Sequence, residues 1–533
     1  MNNFQVYKSS AGSGKTYTLI SVYLGIVLRE PASFRNILAI TFTNKAAKEI
    51  KSRIISNLKI ISADNPAEIP VKFNHMVESL KTATGLETDE LRKRAATALS
   101  LILHSYGDFA VSTIDSFMHR IIRAFSFDLK LSMSFDVEMD KQMLQSEAVG
   151  SLLSDVGRNE YVTGILVKFV QERAEADENW QIDNDLIKFS NNLFDEDAFG
   201  LLPRLSSFDA EKLDGVNRKL NRLITAFESE LKLLAGKALA LIHENGLQPE
   251  WFFQGNRGIY GFFSKIAGGD TEAAFSPNSY VEKTITGGDW LSARGKKEAG
   301  TALLPALQED LSAFFNQIRN LAEEKGSKVL IYNNIRSNLY PLAVLGELNQ
   351  RLQVVKKERN VISIAEFNRI IAGIVSNEPV PFIYERTGEK FRHYLIDEFQ
   401  DTSVLQWHNL LPLLENSLSH DYRNMIVGDG KQAIYRFRNG EVEQFVKLPD
   451  VNNPDNNPLI GQRSQVLRRE YQEQQLDTNF RSGTEVVEFN NRFFDFASGI
   501  FVPEFEDVYR GGSQKSAARN NGGFVSVEFL SDE

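Results

Sequence analysis

The chain has 533 residues, 42% of them apolar, enough for several hydrophobic cores and for roughly three or four domain-sized units. It has no cysteine, which excludes disulfides, thiolate catalysis and cysteine-bound zinc, and its seven histidines are scattered, which argues against a histidine metal site. A net charge of −10 excludes a general nucleic-acid coat, so any nucleic acid has to be held in a local groove.

No apolar run reaches the ~18 residues of a transmembrane helix. The first apolar stretch belongs to a predicted strand and not to a signal peptide. The expectation is a soluble cytoplasmic protein with no membrane partner.

A strand is predicted at 4–8 and a helix at 15–29. Between them lies Ser9-Ser10-Ala11-Gly12-Ser13-Gly14-Lys15-Thr16. Gly12 and Gly14 let backbone N–H groups turn inward and approach a ligand closely. A helix starting near Lys15 presents partial positive charge, Lys15 adds a full charge, and the Thr16 hydroxyl suits Mg²⁺. Together these residues make a polyphosphate nest, the P-loop. Its usual first glycine is Ser9 here, but the dense part is intact. The plainer reading, a Gly/Ser surface turn, fits the strand–loop–helix context less well.

Residues 36–43 read as a buried strand, and 44–58 as an amphipathic helix with Ala47, Ile50, Ile54 and Leu58 on one face and Asn44 as its N-cap. This β-loop-α-β-α order opens an α/β parallel sheet. Residues 59–106 read as a polar helical excursion, and 109–117 as a strand entering a helix. From 125 to 375 the pattern is mainly helical, an insertion from which no chemistry is legible. The sheet resumes at 393–402 and 424–437. Residues 448–461 read as a Pro/Asn-rich linker, 471–494 as a strand end and a helix, and 522–530 as a closing strand.

Three segments carry chemistry. "YLIDEFQD" ends a buried strand in two acids. Asp397 suits a metal ligand, and Glu398 a base for the water that attacks a γ-phosphate. "VGDGKQAIYRFR" places Gln432 where an amide could sense that phosphate. It also alternates Tyr435 and Phe437 with Arg436 and Arg438, as base stacking with phosphate contacts requires. Read alone, those aromatics suit a core-facing strand better. "TNFRSG" holds Arg481, which reads as an arginine finger or as a helix-start arginine in a surface ion pair.

In this order, "SSAGSGKT", "ITFTNKAAKEIKSRI", "VSTIDSF", "LIDEFQDT", "VGDGKQAIYRFR" and "LDTNFRS" resemble the motifs of superfamily 1A DNA helicases. The chain is similar to the UvrD/Rep/PcrA group and, more closely, to the RecB/AddA branch. The resemblance implies a RecA-like P-loop parallel sheet, 1A, with a large helical insertion, 1B, and part of a second RecA-like domain, 2A. Its domains would be 1–124 and 376–447 for 1A, 125–375 for 1B, and 448–533 for the linker and the first part of 2A.

It implies ATP and Mg²⁺ as cofactors, with Ser10, Ala11, Gly12, Ser13, Gly14, Lys15 and Thr16 around the phosphates and Thr16 and Asp397 on the metal. Glu398 would be the base. Gln432 and Arg481 would contact the γ-phosphate, Phe480 would stack on adenine, and Arg438 would link nucleotide to DNA. Phe42, Asn44, Phe117, Tyr435 and Phe437 would line a single-strand track. The implied activity is ATP-driven 3′→5′ movement on single-stranded DNA or from duplex DNA ends, in repair or recombination, beside a nuclease or scaffold partner subunit.

Motifs V and VI are not found, so the chain reads as the N-terminal part of a longer motor and is expected to hydrolyse ATP poorly by itself. Two other readings stand beside this one. A non-catalytic DNA-binding scaffold would show broken motifs, and an unrelated P-loop NTPase would not carry all six segments.

Overall fold

The computed structural model describes residues 2–63, 71–127, 129, 135–138, 141–175, 181–196, 198, 201–205, 210–298, 304–375, 378, 384, 390–436, 439–454, 456–500, 508–509, 512–517 and 521–529. They form two compact units. One comprises 1–141, 194–197 and 356–533, and the other comprises 142–193 and 198–355.

The first unit is built on strands, and the inner ones of its main sheet are mostly apolar and buried on both faces, as a sheet covered by helices on each side requires. The strands are β1 (Phe4–Ser9), β2 (Ile37–Thr41), β3 (Val111–Thr113), β4 (Asp136–Glu138), β5 (Val361–Ser363), β6 (His393–Ile396), β7 (Asn424–Gly428) and β8 (Tyr471–Leu476). Six of them make one sheet in the order β3-β2-β6-β7-β1-β8, every pair parallel. β4 and β5 form a separate parallel pair.

Side chains alternate across the sheet. Phe4, Val6, Leu38, Ile40, Ile396 and Ile426 enter one core with Trp407 and Leu410. Tyr7, Ile37, Ala39, Leu395, Met425 and Val427 enter the other. Helix α1 (Lys15–Arg29) covers the second face with Leu19, Ile20, Tyr23, Leu24, Val27 and Leu28. Helix α2 (Asn44–Ile61) adds Ala47, Ile50, Ile54 and Leu58. The excursion predicted at 59–106 contains α3 (Val71–Thr84) and α4 (Thr88–His104), which close the same core through Met76, Leu80, Leu91 and Ile102.

The helical unit has its own core, with Ile224, Leu231, Phe262, Phe263 and Ile318 fully or nearly fully buried. It is narrower than the expected 125–375 insertion, because residues 125–141, 356–375 and the short segment 194–197 cluster with the sheet. The segment is held there by chemistry. The Ser403 hydroxyl donates to Glu196 Oε1 at 2.9 Å, and the Lys356 ammonium sits 5.3 Å from the Phe194 ring.

Three local expectations change. Thr43, not Asn44, caps α2: its backbone is extended and its Oγ1 accepts from Ala46 N at 3.2 Å, which leaves Asn44 as the first helical residue. Tyr471–Leu476 lies in the range read as linker and second domain, yet it pairs with β1 as the sixth strand of the first sheet. This satisfies the backbone of β1, whose outer edge would otherwise be open. Finally, 521–529 is not a strand. A strand needs a partner, and the nearest short pair, β9 (Thr478–Asn479) with β10 (Lys515–Ser516), does not extend to it.

Because the whole sheet is parallel, the loops after β1, β2, β6, β7 and β8 all emerge at one end. That end is where open α/β sheets bind ligands.

Candidate active site

The loop after β1 is shaped by two glycines in the left-handed region, Gly12 at φ 76° and Gly14 at φ 89°. Ser13 N donates to Ser10 O at 3.2 Å, and Thr18 N to Gly14 O at 2.9 Å opens α1. The N-terminal amides of α1 therefore face into the loop. The Ser13 hydroxyl is buried with no hydrogen-bond partner among the described residues, a polar atom that a ligand oxygen would satisfy.

Asp397 and Glu398 follow β6. Asp397 N donates to Ile40 O at 2.8 Å, which carries the strand ladder up to the acid. The next residue, Glu398, has φ 51°, a left-handed conformation that costs a non-glycine residue ~1 kcal/mol. This turn swings the Glu398 side chain back over the loop after β1. There the Lys15 ammonium lies 3.1 Å from Glu398 Oε2 and 3.1 Å from Gln432 Oε1.

These contacts belong to a closed ring. Glu398 Oε2 also accepts from Gln400 Nε2 at 2.8 Å, and Gln400 Oε1 accepts from Asp429 N at 2.9 Å. Asp429 Oδ2 accepts from Gln432 Nε2 at 2.7 Å, and Gln432 returns to Lys15. The ring joins the ends of β1, β6 and β7.

Burial shapes the charges around it. Asp397 is 5% exposed, and burial first, then the neighbouring Glu398 carboxylate, push its pKa up to about 7 despite Lys15. Asp401 is pushed up to about 6 by burial and then by Glu398. Asp429 is raised by burial, against the pull of Lys431 and Lys15. An acid as buried as Asp397 gains from a divalent cation. The hydroxyl of Thr16 and the carboxylate of Asp397 are hard oxygen donors of the kind Mg²⁺ takes, so the residues present fit that ion.

The loop after β8 comes to the same place. Asn479 is 4% exposed, and its Nδ2 donates to Ala11 O at 3.0 Å and to Gln514 Oε1 at 3.0 Å. Its Oδ1 accepts from Arg481 N and Ser482 N, both at 2.9 Å. Phe480 N donates to Gly12 O at 3.0 Å. A Cβ on Gly12 would meet Asn479 Oδ1 at 2.7 Å and Arg481 Cβ at 2.9 Å. Phe480 and Arg481 therefore sit against the P-loop with their side chains exposed, Phe480 by 53%.

The expected single-strand residues divide. Phe42, at the end of β2, and Tyr435, beyond β7, form a close ring pair with centroids 4.4 Å apart and planes at 34°. Asn44 is exposed two residues after Phe42, at the start of α2. Phe117 corrects the sequence reading. It is 2% exposed in the core, edge-on to Phe391 at 6.2 Å, with no face available to a base. Phe437 and Arg438 lie outside the described residues.

Sequence reasoning gave no role to Gln400, Asn479, Gln514 or Lys431. Gln514 Nε2 shares the Ala11 carbonyl at 3.0 Å, and Lys431 Nζ donates to Ser10 Oγ at 2.6 Å. Gln400, Lys431 and Asn479 do stand inside quoted motifs. Nothing in their spacing shows which way a buried amide or ammonium turns.

Comparison with known proteins gives a consistent result. Residues 2–451 match the family model of the UvrD/REP helicase N-terminal domain. An ATP-dependent helicase/nuclease protein from Listeria monocytogenes serotype 4b is 23% identical over 509 residues, covering 91% of this chain and 37% of that protein. Its counterpart of the same name from Clostridium beijerinckii is 22% identical, covering 93% and 38%. The RecB polypeptide of the RecBCD enzyme of Escherichia coli K12 is 22% identical, also covering 93% and 38%. The chain thus spans less than two fifths of the length of these relatives.

Proposed function

The chain belongs to the UvrD/REP helicase N-terminal domain family, and from that premise we propose that it powers an ATP-driven translocase or helicase moving 3′→5′ on single-stranded DNA. The six-stranded sheet is read as 1A, the helical unit as 1B, and the segment carrying β9, β10 and Arg481 as the start of 2A. The names of the relatives describe helicase/nuclease subunits and a subunit of the RecBCD enzyme; repair or recombination at duplex DNA ends, in the cytoplasm and beside a nuclease or scaffold subunit, completes the proposal.

The observation that carries this reading is the convergence of Lys15, Glu398 and Gln432 within 3.1 Å contacts. A triphosphate over the P-loop competes with Glu398 for the Lys15 ammonium, since a polyphosphate offers more charge than one carboxylate. Once Lys15 turns to phosphate, the Glu398 carboxylate is released to accept a proton from the attacking water. The Oε1 of Gln432 is released with it, and its amide is placed to report on the γ-phosphate.

Mg²⁺, when bound, would neutralise charge on the phosphate oxygens, with Thr16 and Asp397 as the residues that hold it. Arg481 would face the same phosphate from the P-loop edge, and Phe480 would offer its exposed ring to adenine. Phe42 and Tyr435 would present a stacking platform to bases, with Asn44 beside them. Phe437 and Arg438 keep the track and linking roles that the resemblance implies.

The test is ATP hydrolysis by the full-length protein with and without single-stranded DNA, with Lys15→Ala as control. Strong stimulation that the variant loses supports a DNA motor. Tight DNA binding without stimulated turnover supports the scaffold reading.

A further inference from the structure

Gln400 is 1% exposed and lies on the short turn directly after Glu398. The orientation of its amide follows from its neighbours. A main-chain N–H can only donate, so Oε1 faces Asp429 N at 2.9 Å. An ionised carboxylate can only accept, so Nε2 faces Glu398 Oε2 at 2.8 Å, with Asp401 Oδ2 at 3.5 Å. Both ends agree. Space is kept for it, since a Cβ on Gly428 would approach Gln400 Oε1 to 2.7 Å. The amide therefore spans from the acidic turn after β6 to the end of β7.

Glu398 Oε2 has two side-chain donors, Lys15 and Gln400. Only one of them is anchored to main chain. Lys15 is the residue that a polyphosphate would take, and Gln400, fixed through Asp429 N, would stay. A glutamate has three side-chain torsions and, without a second tether, samples several rotamers.

We propose that Gln400 is a positioning residue that keeps the Glu398 carboxylate in place for proton acceptance after Lys15 has turned to phosphate. This rests on the reading of Glu398 as the base. Displacing a reacting group by ~1 Å costs on the order of 100-fold in rate, so the tether acts on turnover and not on nucleotide binding.

The test is a double-mutant cycle on the full-length protein, read as DNA-stimulated ATP hydrolysis. Gln400→Ala lowers kcat by about 10- to 100-fold and leaves KM for ATP within about twofold. In a Glu398→Gln background the same substitution lowers the residual rate by less than about twofold, because the group it positions no longer accepts a proton. Equal losses in both backgrounds, or a rise in KM without a fall in kcat, overturn the proposal, since both indicate a merely structural role. Should Gln400→Ala fail to fold, Gln400→Met keeps the volume, removes both hydrogen bonds and carries the same cycle. Its fold is checked by wild-type affinity for a fluorescent ATP analogue. Failure of the underlying reading has a separate signature: Glu398→Gln with wild-type kcat removes the base, and Gln400 with it.

Discussion

Lys15 and Glu398 stand 383 positions apart in the sequence, and Lys15 Nζ lies 3.1 Å from Glu398 Oε2. The pair is mostly shielded, with the lysine side chain 10% exposed and the glutamate 31%. Lys15→Ala should reduce ATP hydrolysis by at least about 100-fold, because the charge that would face the phosphates is gone. Its effect on stability should be small, since Gln400 still satisfies Glu398. Phosphate release and thermal melts on the same samples separate the two. A melting temperature that falls by many degrees would make Lys15 a structural residue first.

Gly12 is constrained twice, by φ 76° and by Asn479 and Arg481 at its face. Gly12→Ala should cost about 1–3 kcal/mol and push the segment with Phe480 and Arg481 off the loop. ATP affinity, followed by titration with a fluorescent analogue, should fall at least tenfold. Unchanged affinity would mean that the clasp is not needed for nucleotide binding.

Much of this site was legible before the fold. The glycines at 12 and 14, the lysine after them, and two acids after a buried strand each follow from local chemistry, and the structure places them at one sheet end. Other features turn on tertiary neighbours. The polar strand Tyr471–Leu476 carries no apolar pattern, and the edge of β1 recruits it. Phe117 is an aromatic in a motif, and only the core around Phe391 shows that it faces inward. The direction in which Gln400 turns depends on Asp429 N, a backbone atom that no side-chain pattern encodes.

Asp401 gives a pH-dependent prediction. Its pKa is raised from the ordinary 3.8 to about 6, by burial and then by Glu398, and its Oδ1 has no hydrogen-bond partner among the described residues. Between these values the folded state holds a proton that the unfolded chain has released. This group's contribution is therefore most favourable at low pH, and it is lost as pH rises from about 4 to about 6. Asp401→Asn removes the penalty. The variant should gain more over the wild type at pH 8 than at pH 4.5, by a margin on the order of 1 kcal/mol once solvent screening is allowed for. Denaturant unfolding at the two pH values measures it, and a gain independent of pH would contradict the assignment.

Arg481 separates the two readings its motif allowed. As an arginine finger it should matter for turnover alone: Arg481→Ala lowers kcat by about 10³-fold, with ATP affinity nearly unchanged and an unchanged melting temperature, because the side chain is exposed. As a surface ion pair it would leave hydrolysis intact and cost no more than ~1 kcal/mol of stability.

The two aromatics Phe117 and Tyr435 were expected to do the same work, and the structure assigns them different surroundings. Tyr435 pairs with Phe42 at 4.4 Å beyond the sheet end, whereas Phe117 is buried against Phe391. Tyr435→Ala should therefore weaken single-stranded DNA binding by about 1–3 kcal/mol and leave stability close to the wild type. Phe117→Ala should do the reverse, costing about 3–5 kcal/mol of stability through the cavity it opens, with DNA affinity retained wherever the variant is folded. Fluorescence anisotropy with a short labelled oligonucleotide and denaturant melts, run on both variants, give four numbers. If Phe117→Ala lost DNA affinity while keeping its stability, the ring would have to reach the track, and the packing around Phe391 would have to open for it to do so.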